Sequence, residues 1–200
     1  MYLCAIMEDT RARILQENYK AVHRFGFQGT RTDKVVAEMG ITKGAFYHYF
    51  PTKNDLGYAI VDEIILPNYT SIWKEFEQAT AHFDVILTET LQKYFHFMDH
   101  ESVKYGCTLN NLMQEMSPID EGFGTRIRRI SSMMQQSIET GLKNGQLAGV
   151  FRRDINPTQT AFFILAAVQG AFSMGKAMQS HVVFEMSIQQ LIEYTQTLKN

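Results

Sequence analysis

Two cysteines in 200 residues, Cys4 and Cys107, cannot build a disulfide framework. No stretch reaches the length of a membrane span. The N-terminus also lacks a charged region followed by an apolar core, and Leu3 to Met7 is too short for a signal peptide. No serine, histidine and carboxylate arrangement suggests catalysis, and no glycine-rich loop suggests nucleotide binding. No sign of charge dominates either: the net charge is −2, which excludes a wholly basic nucleic-acid protein. Period-2 strand patterns, internal repeats and low-complexity segments are missing. These absences lead us to expect a cytoplasmic protein that is not an enzyme, needs no cofactor and does not meet a membrane. Met1 and Met7 both stand as possible starts.

What is present is helical, so the expected fold class is all-α. The chain is 45 % hydrophobic and 12 % aromatic, enough for a small domain plus a larger one with its own core. A first helix is expected from a cap at Asp9 to about Phe25, burying Ile14, Ala21, Val22 and Phe25 and ending at Gly26. A long helix begins near Asn54, and Pro67 must kink or break it. Further helices are read at Phe83 to Met98, Cys107 to Met116 and Gly122 to Lys143, with Asn144-Gly145 as the stop of the last. Asn156 caps and Pro157 opens a helix running to about Ser180, and Phe184 to Lys199 closes the chain.

Residues 30 to 58 carry the most information. Thr30 reads as an N-cap with Asp33 three residues on, and Val35, Val36 and Met39 space a brief helix. Gly40 supplies the left-handed stop, Ile41 plugs the turn and Thr42 caps a second helix, Lys43 to Phe50, which Pro51 ends. Two short helices around a tight turn form a helix-turn-helix, which lays its second helix in the DNA major groove. On that helix Lys43, Gly44, Tyr47 and His48 share one side, while Phe46, Tyr49 and Phe50 point inward. Charge is distributed to match. Residues 1–53 carry +3 and residues 54–200 carry −5.

The run GITKGAFYHYFPTKNDL, residues 40 to 56, resembles the signature of the TetR family of bacterial transcriptional regulators. The resemblance implies a DNA-binding domain over 1–53 and an effector-binding and dimerisation domain over 54–200. It implies operator contacts from Thr30, Arg31, Thr42, Lys43, Gly44, Tyr47, His48 and Lys53. Arg31 stands where the family usually has a small hydroxyl residue, and Val36 replaces the usual alanine; arginine can make the phosphate contact itself. A palindromic operator in double-stranded DNA, a homodimer, a small-molecule effector and a repressor's role are all implied.

Thr158 to Met178 mixes small residues (Ala166, Ala167, Gly170, Ala171) with Phe162, Phe163 and Phe172, and Ile188, Leu191, Ile192 and Thr195 form a seam on the last helix. Both helices can pack inside one subunit. The resemblance instead implies a dimer interface with Phe162, Ala166, Gly170, Ile188, Leu191 and Thr195. Residues 83 to 143 are rich in aromatics and methionines, which line pockets or fill ordinary cores equally well. The run GCTLNNLMQE, residues 106 to 115, resembles a G-C-x-x-x-x-L-x-x-E motif in one branch of the family, some of whose members sense electrophiles or oxidants through the cysteine. That implies a pocket or sensor drawn from Cys107, Tyr94, Met98, Asn111, Met113, Met134 and Lys176. A buried, inert cysteine and a lysine that reaches solvent are the competing readings. His96 and His100 have metal-compatible spacing, but lack a third ligand, and no metal is expected. Two rival functions remain at this point: a small-molecule binder that has lost DNA binding, and a thiol-dependent enzyme using Cys107.

Overall fold

A computed structural model describes the backbone of residues 2–78, 83–97 and 100–200, and their side chains except those of 2–9, 74, 75, 77, 78, 94–97, 100 and 101. The side chains of Cys4, Tyr94, His96, Met98, Asp99 and His100 therefore lie outside the described residues. The chain forms eleven described α-helices: α1 (Tyr2–Phe25), α2 (Thr32–Glu38), α3 (Lys43–Tyr49), α4 (Lys53–Ala59), α5 (Leu66–Gln78), α6 (Phe83–Phe97), α7 (His100–Tyr105), α8 (Thr108–Glu115), α9 (Glu121–Leu147), α10 (Pro157–Ala177) and α11 (His181–Gln196). No strand occurs among the described residues; Phe151 and Lys199 share one isolated bridge.

The chain divides into two compact units. One comprises the residues up to Pro67 together with Asn111–Ile127, and the other comprises Asn68–Asn110 and Arg128–Asn200. In the first unit, Ile14, Val22, Phe27, Val36, Phe46, Phe50 and Leu56 form the core, joined from the second segment by Phe123. Phe123 meets Phe27 and Tyr58 edge-on, with ring centroids 4.7 and 5.1 Å apart. Asp120 caps α9 by accepting the Phe123 N–H at 2.9 Å. The same carboxylate accepts from Asn54 and from the Tyr58 hydroxyl, both at 2.9 Å. Arg126 lies over the Tyr58 ring and pairs with Asp62 at 2.8 Å.

Pro67 does not break its helix. Ile60–Ile65 form a π-helical turn just before it, in which the Leu66 N–H reaches back to the Val61 carbonyl. That widened turn precedes the residue that has no N–H to give.

In the second unit, Trp73, Phe76, Phe83 and Phe151 stack in series, each ring 4.7 to 6.0 Å from the next. Two glycines of α9 make room for this stack: a Cβ at Gly141 would lie 2.1 Å from the Phe83 ring, and one at Gly145 would lie 2.4 Å from Phe151. This corrects the expected helix stop. Asn144-Gly145 is interior, because Gly145 serves packing, and α9 ends ahead of Gly149, whose φ is +75°.

Other expectations are also revised. Asp9 lies within α1 rather than capping it. Phe25 is 68 % exposed, because the helix ends on it and its left-handed successor Gly26 turns the chain away. Asn156 caps α10 as expected, accepting from Gln159 N–H at 3.1 Å with Pro157 in the first turn. By length and composition α10 is apolar enough to cross a membrane, and 44 % of its most apolar 18-residue window is buried. The expectation of no such stretch is corrected: Lys176 alone among its residues is charged.

Candidate nucleic-acid interface and effector region

The turn between α2 and α3 is built from local signals. Gly40 takes φ +71°, and the Thr42 hydroxyl accepts the Ala45 N–H at 3.2 Å to cap α3. Phe46 and Phe50 anchor the helix inward, at 4 % and 2 % exposure. That fixes the opposite face: Thr42, Lys43, Gly44, Ala45, Tyr47 and His48 are all exposed. A Cβ at Gly44 would meet nothing, so the fold does not need the glycine there. Tyr47 meets Phe46 edge to face, with ring centroids 5.1 Å apart, and is 56 % exposed. Beside α3 is a cleft of about 410 Å³ lined by Thr30, Arg31, Thr32, Lys43, Tyr47 and Lys53, among others. Six of the eight residues expected on the operator thus present exposed atoms: Arg31, Thr42, Lys43, Gly44, Tyr47 and His48.

The other two behave differently. Thr30 is 3 % exposed, and its hydroxyl donates to the Gly26 carbonyl at 2.6 Å. It closes the α1–α2 loop and does not cap α2, whose N-cap residue Arg31 makes no side-chain capping bond. Lys53 is half-buried and points inward. Its ammonium donates to the carbonyls of Thr30 at 2.8 Å and Gln28 at 3.2 Å, and lies over the Phe27 ring. Burial lowers its pKa, partly countered by the Glu115 charge. Lys53 therefore supports the loop that leads into the helix-turn-helix. Thr52 and Asp55 form a full capping box at the start of α4. Arg31 engages Asp33 at 3.0 Å, and that bond holds the Asp33 carboxyl below its ordinary pKa.

Among the expected effector residues, Cys107 is buried at the head of α8. Its Sγ accepts the Asn110 N–H at 3.5 Å and lies 2.8 Å from the Tyr69 hydroxyl. Gly106 before it takes φ +75°. Burial pushes the thiol's pKa up, against smaller opposing effects of the Tyr69 bond and the N–H groups of Asn110 and Leu109. Desolvation at this buried helix start thus favours the thiol over the thiolate, in line with the reading of Cys107 as a buried cysteine. Lys176 is exposed on α10 and is not among the groups that shift Cys107. Met134 is 1 % exposed in the second unit, whereas Asn111 and Met113 belong to the first. Tyr94 and Met98 lie outside the described residues. Asn110, not singled out from sequence, is buried and donates to Ser173 at 2.8 Å and to the Gln169 carbonyl at 3.3 Å.

The expected dimer residues divide cleanly. Phe162 is 58 % exposed, Ala166 is exposed, and a Cβ at Gly170 would meet nothing. Ile188, Leu191 and Thr195 are instead buried within their own chain at 0, 4 and 2 %, so they cannot offer surface to a partner. The exposed apolar face of α11 is Val182 and Met186, at 60 and 65 %.

An all-helical chain with an exposed, capped recognition helix and a separate helical unit defines a helix-turn-helix transcriptional regulator. The comparisons make this specific. Residues 14–60 match the model for bacterial regulatory proteins of the tetR family, and residues 87–191 match the tetracyclin repressor-like C-terminal domain. The chain belongs to the TetR family. An uncharacterized HTH-type transcriptional regulator from Lactococcus lactis is 26 % identical over 92 % of both chains. The HTH-type transcriptional repressor DhaR of a Mycobacterium is 26 % identical over 80 % of this chain and 79 % of its own. The crystal structure of reduced Escherichia coli NemR shares the fold, with a TM-score of 0.79 at 21 % identity, covering 92 % of this chain and 95 % of that one. The protein is a ligand-responsive, DNA-binding transcriptional regulator and not an enzyme.

Proposed function

We propose that the protein is a cytoplasmic homodimeric repressor that binds a partly palindromic operator and lets go when its C-terminal region takes an effector. Residues 1–53 act as the reader, and residues 54–200 as the effector and dimerisation region. The carrying observation is the outward face of α3, where Lys43, Tyr47 and His48 are exposed around a glycine the fold does not require. One such helix reads too few base pairs alone, so two subunits place α3 in successive major grooves, roughly 34 to 36 Å apart or a multiple of that. The uncovered faces of α10 and α11 support the dimer. Repression is supported by the relatives DhaR and NemR, both named as repressors.

A gel shift with DNA from the chain's own promoter region tests this reading. Lys43→Ala and Tyr47→Ala should weaken binding with no loss of helicity. Lys43→Ala should also flatten the plot of log affinity against log salt by about one unit, because one phosphate contact and its released counterion are gone. Equal affinity in wild type and both variants would show that α3 does not lie on DNA.

A second reading concerns Cys107, favoured by its place as the N-cap of α8 beside the Tyr69 hydroxyl. In this reading thiol-reactive compounds modify Sγ and release the operator. Because burial raises the thiol's pKa, modification should be slow at neutral pH and quicken as pH rises. Cys107→Ser should keep operator binding and lose the release, while Cys4→Ser should change neither. Release that persists in Cys107→Ser would leave a reversible ligand as the effector.

A further inference from the structure

The motif of residues 106 to 115 ends in a glutamate that neither the DNA-reading face nor the cysteine reading uses. Glu115 is the last residue of α8, and its carboxylate accepts two backbone N–H groups from the loop after α1: Phe27 at 2.8 Å and Gln28 at 2.7 Å. Gly26 creates this seat. Its φ of +75° turns two successive N–H groups to one side, and a Cβ there would sit 3.0 Å from a Glu115 oxygen. Two carbonyls of the same loop, those of Gln28 and Thr30, are held by Lys53. Within Gly26 to Thr30, an anion thus holds the N–H groups of Phe27 and Gln28 and a cation holds the carbonyls of Gln28 and Thr30. Charged partners make such bonds shorter and stronger than neutral ones. The loop leads straight into Arg31 and α2, so its position sets where the helix-turn-helix starts.

We infer that Glu115 is a positioning residue for operator binding, holding the Gly26–Thr30 loop so that α2 and α3 meet DNA in register. The inference rests on the reading of α3 as the recognition helix. Leu112, one turn before Glu115 on α8, is 1 % exposed and keeps that end of the helix seated.

Glu115→Ala and Glu115→Gln are compared with wild type in the full-length protein, by amide hydrogen exchange and by operator binding across a salt series. In Glu115→Ala the Phe27 and Gln28 amides should exchange at least tenfold faster while the α1 and α4 cores stay protected. Operator affinity should fall at least tenfold with an unchanged salt slope, because no phosphate contact is lost. Glu115→Gln keeps one accepting oxygen and should fall between the two. An unchanged slope separates this from Lys43→Ala, which should flatten it. Faster exchange at Phe27 and Gln28 with operator affinity within twofold of wild type would overturn the inference while leaving α3 as the reader. So would unchanged exchange in both variants. Failure of the wild type itself to bind operator DNA would instead bring down the DNA reading on which the inference rests.

Discussion

Gly170→Leu is expected to turn the proposed dimer into monomers and to cut operator affinity by roughly a hundredfold or more, with helicity intact. The size follows from losing the second half-site: tethering two reading heads raises affinity by about 10²–10⁴ over one. The specificity follows from the position. A Cβ at Gly170 would meet no atom within 4 Å inside the subunit, so leucine is tolerated by an isolated chain. It lies on the helix that exposes Phe162 and Met174 at 58 and 51 %, an apolar face that a monomer leaves in water. Gly175→Leu is the control. Its Cβ would press on Phe184 at 2.9 Å and Val103 at 3.0 Å, so that change should lower stability of the subunit itself. Sedimentation velocity, circular dichroism and operator titration on the two variants separate the cases. A Gly170→Leu protein that still sediments as a dimer with wild-type affinity would place the interface elsewhere, and a wild type that is monomeric at micromolar concentration would remove it.

The same two helices show which information a sequence carries. Periodicity on α11 marks Ile188, Leu191 and Thr195 as covered, and they are, but it does not say whose chain covers them. Here α10 and its neighbours do, and the surface left to a partner is the less regular Val182 and Met186. The helix-turn-helix was legible because its determinants are local: a left-handed Gly40, the Thr42 cap, and inward Phe46 and Phe50 within one turn of each other. Capping at Asn156 with Pro157 was legible for the same reason. Residues whose role is set by distant partners were misread or missed. Gly145 looks like a helix stop until Phe151 is seen against it. Lys53 looks like a phosphate contact until the carbonyls of Gln28 and Thr30 are found on its ammonium. Glu115 reaches a loop 88 positions away, and the signal that pointed to it, the closing letter of its motif, was read only for the cysteine at the other end.

Phe123→Ala should have the largest effect on stability, about 3–5 kcal/mol, because it removes a fully buried ring and leaves a cavity. Marginal domains hold only about 5–15 kcal/mol in total, so the loss should appear as a much earlier urea transition of the unit containing the helix-turn-helix. The cause is a three-way fit around Gly57. A Cβ there would lie 2.4 Å from the Phe123 ring and 2.5 Å from the Phe27 ring, and these two rings touch each other edge-on. Gly57→Ala alone should therefore cost about 1–3 kcal/mol by overpacking. Phe123→Leu alone should cost less than Phe123→Ala. Combining Gly57→Ala with Phe123→Leu should cost less than the two single losses added, since leucine withdraws the nearer of the two clashing rings. The recovery should be partial, because Phe27 still faces the new methyl. Neighbours sharing one space couple in this way, whereas distant sites simply add. Equilibrium unfolding of the four proteins gives the coupling directly. Strict additivity would mean that the backbone of α4 moves to absorb the methyl, and that the close approach of Gly57 to the two rings does not constrain the packing of this unit.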